Sequence, residues 1–212
     1  MNKTCLIILS YVENPDSSLL LNFSKQSNYI ICADGGQIIA KRNHIVPDCV
    51  IGDFDSSNNN KFFNCKYITY PAEKDLTDTE ASIYHALQNN FTDIVLYGGI
   101  GGRLDHTLGN VSLLLRFYSE FHSIRFLDKH NEMQILHNNR MKLLSSSDYP
   151  YFSLITIEEK AFGITTEGAK YNLDNETLYR ASTRGISNEI INESVQIEVT
   201  NGTLLVVRSA DA

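Results

Sequence analysis

The sequence lacks a C-x-x-C pair, a long apolar run and any surplus of basic residues, and each absence closes off a class of function. Without C-x-x-C, its four cysteines (Cys5, Cys32, Cys49 and Cys65) suggest neither a zinc site nor a redox dithiol. Most sit in apolar runs, so they read as buried, reduced thiols of a cytoplasmic protein. Without a long apolar run, no segment spans a bilayer. The run TCLIILS near the amino terminus is too short for a secretion signal and reads as a first buried strand. A net charge of -7 argues against nonspecific nucleic-acid binding, which needs a basic surface. It leaves a nucleotide ligand open, because a bound metal reconciles phosphates with carboxylates.

What is present is ordinary globular material: 212 residues, 42% hydrophobic and 20% charged, enough for one domain or two small ones. The first part alternates apolar runs (TCLIILS, YIICAD, CVIGD, KYITY, DIVLYGG and SIRFLD) with helical patterns. The runs show no clean polar alternation, as expected of a parallel sheet covered on both faces. Two helices are readable. One starts at a capping box, Thr77 with Glu80, and carries Ala81, Ile83, Tyr84 and Leu87. The other starts near Asp105, with Leu108, Val111, Leu115 and Tyr118 predicted as its apolar face. Beyond about residue 128 the segments become short and alternating, and Asn201-Gly202 signals a tight hairpin. The expected fold class is an α/β domain with a mostly parallel sheet over 1–130, followed by an all-β sandwich or barrel over 131–212.

Four segments carry Asp or Gly at strand ends, where open α/β sheets bind ligands. In IGDFDS, Asp53 and Asp55 point to one side of an extended chain, the geometry a hard cation needs. An acidic surface turn, or the Asp pair of a sugar-nucleotide transferase, reads the same way. In EKDLTDTE, Asp78 takes the first helical position after Thr77, where the helix end favours a carboxylate. Asp75 lies just outside and Lys74 adds a cation for phosphate. In YGGIGGRLDHTLGN, four glycines lead from a strand into a helix, offering backbone N–H groups to an anion, with Arg103 as a planar fork. The alternative there is a flexible loop. His106 is either an acid–base group or a hydrogen-bonded structural histidine. In ADGGQ, Asp34, Gly35 and Gly36 form a turn first and a ligand feature second.

Taken together these motifs indicate a magnesium-nucleotide site and phosphoryl transfer. In combination they resemble the thiamine pyrophosphokinase family: ADGG, GDFDS, KDLTD and GGRLDH stand in that family's order and spacing. TEGAKYNL and STRGISNE are similar to its thiamine-side motifs. The resemblance implies transfer of a pyrophosphoryl group from ATP to the thiamine hydroxyl, giving thiamine diphosphate and AMP. It implies a magnesium set of Asp53, Asp55 and Asp78, which with Arg103 forms the catalytic group. ATP would be surrounded by Asp34, Gly35, Gly52, Lys74, Asp75, Thr77, Gly101, Arg103, Asp105 and His106. Leu76, Ser187 and Asn188 would face thiamine, at the interface of a homodimer. The chain has no tryptophan to form an aromatic wall, so Tyr171, Tyr179 or a phenylalanine would stand in. Two rivals remain, a transferase with a sugar-nucleotide donor and a nonenzymatic thiamine or nucleotide sensor.

Overall fold

The computed structural model describes residues 2–13, 15, 17–53, 61–69 and 76–211. The chain divides into two compact units, Met1–Lys129 and His130–Ala212. Among the described residues no helix is long and apolar enough to cross a membrane.

In the first unit the elements run β1 (Thr4–Ile8), α1 (Ser18–Gln26), β2 (Tyr29–Ala33), α2 (Gly36–Arg42), β3 (Cys49–Gly52) and β4 (Lys66–Thr69). Then follow α3 (Asp78–Gln88), β5 (Asp93–Tyr97), α4 (Leu104–Phe117) and β6 (Ser123–Leu127). The six strands pair in parallel in the order β6-β5-β1-β2-β3-β4. The chain winds outward from β1 to β4, then returns past β1 to lay down β5 on its other side. β1 and β5 therefore flank a topological switch point, where the loops after them diverge and leave a crevice.

Alternate residues of β1, β2, β3 and β5 are buried on opposite faces. Leu6, Ile8, Ile30, Cys32 and Val50 pack in one cluster with Leu20 of α1 and Ile39 and Ala40 of α2. α3 packs on β1, β2 and β3, and its buried face carries Ala81, Ile83 and Ala86. With both faces covered, these four strands carry apolar residues nearly continuously, which accounts for the missing polar alternation.

Helices α1 and α2 go beyond what the sequence pattern announces, and both are short: nine and seven residues. α2 begins on the Gly35-Gly36 pair, so that pair is a helix entry as well as a turn. A Cβ on Gly36 would stand 2.1 Å from the Ile8 carbonyl oxygen, so the helix can lie this close to β1 only with glycine there. The apolar face of α4 also differs from expectation. Asn110, Leu113, Leu114 and Phe117 are buried, whereas Leu104 and Leu108 are 69% and 58% exposed. The helix has apolar residues on two stripes. The one that turns inward carries Asn110, whose side chain bonds the Gly99 carbonyl at 2.8 Å, and Phe117, which meets Tyr84 edge-on.

The second unit is all β: β7 (Asn131–His137), β8 (Arg140–Leu144), β9 (Tyr151–Thr156), β10 (Lys160–Glu167), β11 (Glu176–Tyr179), β12 (Asn188–Glu189), β13 (Ser194–Asn201) and β14 (Thr203–Ser209). Its strands pair antiparallel in two rows, β12-β9-β14-β7 and β11-β10-β13-β8. Leu136, Phe152, Leu154, Leu204 and Val206 of the first row pack with Leu143, Ile164, Leu178, Val195, Ile197 and Val199 of the second, which makes a sandwich core. The Asn201-Gly202 turn does not close a hairpin. β13 pairs with β8 and β10, while β14 pairs with β7 and β9, so the turn carries the chain from one sheet to the other. Gly202, at φ +126, donates its N–H to the Asn138 side chain at 2.8 Å and leaves no room beside Ala161 for a Cβ. Of the pair only Gly202 takes a positive φ, whereas the tight Asn-Gly hairpin needs it at both residues, so the same dipeptide serves a different turn.

Gly36→Ala is expected to destabilise the protein by roughly 2–3 kcal/mol in urea unfolding, because the added methyl meets backbone rather than a yielding side chain. Gly109→Ala on α4, where a Cβ meets nothing within 4 Å, is the matched control and should be neutral or stabilising.

Candidate functional site

Parallel pairing places every strand's carboxyl end on one edge of the sheet, and a cleft of about 430 Å³ opens there. The segment after β1 supplies Leu9, Ser10 and Tyr11, and β2 supplies Ala33. Asp53 follows β3. Leu76, Thr77, Asp78 and Thr79 come from the start of α3, and Gly99, Gly101, Arg103, His106 and Asn110 from the loop after β5 and the start of α4.

Asp78 is placed by its helix. Thr77 is the N-cap, and its hydroxyl accepts the Glu80 N–H at 3.1 Å. The carboxylate of Asp78 therefore leaves the first turn of α3, where the helix end carries partial positive charge that favours an anion. The next turn is held to α4 by Arg116, which bonds both the Glu80 carboxylate and the Tyr84 hydroxyl.

The glycine segment is tied down rather than flexible. Gly98, Gly99, Gly101 and Gly102 all have positive φ, from +61 to +92. Gly98 N–H donates to the Leu127 carbonyl at 2.8 Å and Gly99 N–H to the Tyr11 carbonyl at 2.8 Å. Gly101 N–H donates to the Thr107 hydroxyl at 3.0 Å. Three amides that the sequence offered to an anion are thus engaged within the fold, and an anion here meets the start of α4 and Arg103 instead. The Arg103 fork is itself paired: Nε and Nη2 meet the two Asp105 oxygens at 3.1 and 2.5 Å. Hydrogen bonding to Arg103 holds the Asp105 carboxyl below its ordinary range, and the same bond raises Arg103. Both side chains are solvent-exposed, so this pair is weak enough to re-form around a phosphate.

Of the expected nucleotide-side residues, Asp53, Thr77, Asp78, Gly101, Arg103 and His106 line the one cleft, and Leu76, expected to face thiamine, lines it with them. Asp105 lines a neighbouring hollow with Glu80, Gly109 and Arg116. Asp34, Gly35 and Gly52 are not among the residues that line the cleft. Asp34 is left-handed at φ 43, and its N–H donates to the Ile51 carbonyl at 2.7 Å. A Cβ on Gly52 would stand 3.1 Å from Asp34, so this glycine allows close approach. Asp55, Lys74 and Asp75 lie outside the described residues. Among the described residues, no three His, Cys, Asp or Glu side chains gather into a metal cage. Asp53 and Asp78 do share the cleft, and magnesium is commonly held by one or two carboxylates with phosphate and water completing the shell. The residues present fit that cation.

Ala33, Thr79, Gly99 and Asn110 are cleft residues that lie within the motifs without having been singled out there, while Leu9, Ser10 and Tyr11 lie outside every motif. The stretch Leu9-Ser10-Tyr11 has neither Asp nor Gly. The signal that marks it is the strand order.

In the second unit a separate hollow of about 450 Å³ is lined by Phe152, Leu154, Tyr171, Thr183, Arg184, Gly185, Ile186 and Asn188, among others. Asn188 clamps one wall. Its Oδ1 accepts from Tyr171 N–H at 3.1 Å and Glu189 N–H at 2.9 Å, and its Nδ2 donates to the Tyr171 carbonyl at 2.7 Å. Ser187 is left-handed at φ 56, and its N–H donates to the Ser153 hydroxyl at 3.0 Å. Tyr171 lines this hollow and Tyr179 does not.

Two family models match the chain: thiamin pyrophosphokinase, catalytic domain, over residues 20–126, and thiamin pyrophosphokinase, vitamin B1 binding domain, over residues 137–204. Among curated relatives, thiamine pyrophosphokinase of Bacillus subtilis (strain 168) is 31% identical over 216 residues, covering 99% of this chain and 100% of that protein. Thiamin pyrophosphokinase 1 of Caenorhabditis elegans is 27% identical, covering 86% of this chain and 80% of its own. The crystal structure of the B. subtilis thiamine pyrophosphokinase superposes with a TM-score of 0.90 at 30% identity, over 99% of this chain and 100% of that one. The yeast thiamin pyrophosphokinase structure, at 18% identity, shares the fold with a TM-score of 0.81 over 99% of this chain and 87% of that one.

Thr77→Ala is expected to lower unfolding free energy by about 1 kcal/mol, the worth of an N-cap, with Thr77→Ser retaining most of it. Thermal melts of the two variants beside the wild type test the assignment.

Proposed function

This chain belongs to the thiamine pyrophosphokinase family, and from that premise we propose that the cleft of the first unit holds ATP and that Asp53 and Asp78 hold its magnesium. The enzyme is an ATP-dependent diphosphotransferase: it moves the pyrophosphoryl group of ATP to thiamine. The observation that carries the proposal is the convergence of Asp53, Asp78 and Arg103, from three separate segments, on one cleft.

In the reaction, the hydroxyl oxygen of thiamine forms a bond to the β-phosphorus. The bond from that phosphorus to the oxygen bridging it to the α-phosphate breaks, AMP leaves with the electron pair, and the hydroxyl proton is released. Magnesium, when bound, neutralises charge building on the phosphates. Asp53 and Asp78 fix where that charge is met. Arg103 exchanges its fork from Asp105 to a phosphate, where a planar guanidinium meets two oxygens at once. Since phosphoryl transfer needs little covalent help, positioning by these groups supplies most of the acceleration.

Asp55, Lys74 and Asp75 belong to the same proposal through their motifs, Asp55 as a third magnesium carboxylate and the other two beside ATP. The proposal places thiamine with the second unit, at Ser187, Asn188 and the hollow walled by Tyr171, with Leu76 contacting it from the nucleotide side. A homodimer, in which the second unit of one subunit meets the cleft of its partner, completes this reading. The exposed Leu104 and Leu108 beside the cleft supply apolar surface for such a contact. A cytoplasmic setting goes with it, in keeping with four free cysteines.

Asp53→Asn and Asp78→Asn should each reduce thiamine-dependent AMP formation by roughly a hundredfold or more while the melting temperature stays near wild type. Loss of folding with normal turnover per folded molecule would instead make the carboxylates structural. Ser187→Ala should raise KM for thiamine severalfold and leave KM for ATP unchanged. An equal rise in both would remove Ser187 from the thiamine site.

A further inference from the structure

Tyr11 stands at the switch point of the first unit, directly after β1 and against the loop that follows β5. Its backbone is fixed there. The Tyr11 carbonyl accepts the Gly99 N–H at 2.8 Å, and it leaves no space for a Cβ on Gly98, which would stand 2.4 Å away. The ring is held as well: a Cβ on Gly102 would lie 2.7 Å from Tyr11 Cε2, so the chain carries glycine where the ring packs. Yet the residue is 43% exposed and lines the cleft. A large aromatic ring that is backed by main chain and open on the cleft side is a rigid surface awaiting a planar partner.

Its position says which part of a nucleotide it meets. Asp53 follows β3, and β3 lies two strands from β1, a separation of about 10 Å across the sheet edge. Asp53 thus marks the phosphate end, and Tyr11 with Leu9 lies two strands away from it. Resting on the assignment of this cleft to ATP, we propose that Tyr11 is the platform on which the adenine base stacks, a binding residue that none of the four motifs contains. A fixed ring stacks a base with little loss of side-chain entropy.

Steady-state kinetics on the full chain, with AMP and inorganic tripolyphosphate as inhibitors against ATP, test this. Tyr11→Ala should raise KM for ATP and the inhibition constant of AMP by about tenfold, the loss of one stacked base, and leave that of tripolyphosphate unchanged. Tyr11→Phe, which keeps the ring, should restore both. A parallel rise for AMP and tripolyphosphate would mean that the ring only props the glycine loop, and the proposal falls. It falls equally if AMP inhibition is unaltered. Should Tyr11→Ala fail to fold, Tyr11→Leu, which keeps bulk against Gly102, carries the same comparison. Failure of the cleft assignment reads differently: tripolyphosphate would then inhibit Asp53→Asn and Asp78→Asn as well as it inhibits the wild type.

Discussion

Parallel strands cannot turn straight back into one another, so each of the six strands of the first unit enters its sheet from the same edge and leaves by the other. This one constraint gathers the ends of β1, β2, β3 and β5 on a common rim, however far apart they lie in the chain. The return from β4 past β1 to β5 then parts the loops on that rim and opens the cleft. Asp53, Asp78 and Arg103 come together because of this winding. No local preference of the three residues would do it.

The rim is made rigid by close backbone approaches. Gly36 lets α2 lie on the Ile8 carbonyl, Gly52 lets β3 pass Asp34, and the Gly98–Gly102 segment closes on Tyr11. The internal hydrogen bonds of that last segment leave fewer amides for an anion than its glycine content suggests, and they remove the freedom of a loop. For phosphoryl transfer the exchange is favourable, since groups held in place before substrate arrives need no reorganisation in the transition state. The second unit obeys a different rule. Its tight connections after β7, β9 and β13 pass between sheets, so the sandwich is stitched by corners and its core is shared by both rows.

Much of this was legible in the residues. All six parallel strands appear as apolar runs, densest in β1, β2, β3 and β5, where burial on both faces writes itself into each strand locally. The cap at Thr77 is likewise local, three residues from its partner. The motif residues Asp53, Asp78, Gly101, Arg103 and His106 were visible as chemistry at strand and helix ends, and ATP and thiamine entered through the family's motifs.

What the sequence by itself determined is therefore whatever depends on neighbours within a turn or a strand: the apolar runs, the cap and the motifs. Tertiary structure alone decided which stripe of α4 faces inward, since two stripes are apolar and the bond from Asn110 to Gly99 selects between them. It decided that Asn201-Gly202 turns a corner, since β14 is received by β7 and β9, strands distant from the turn in the chain. And it decided that Leu-Ser-Tyr after β1 lines the cleft, since a switch point is a property of strand order, set by pairings between segments distant in the chain.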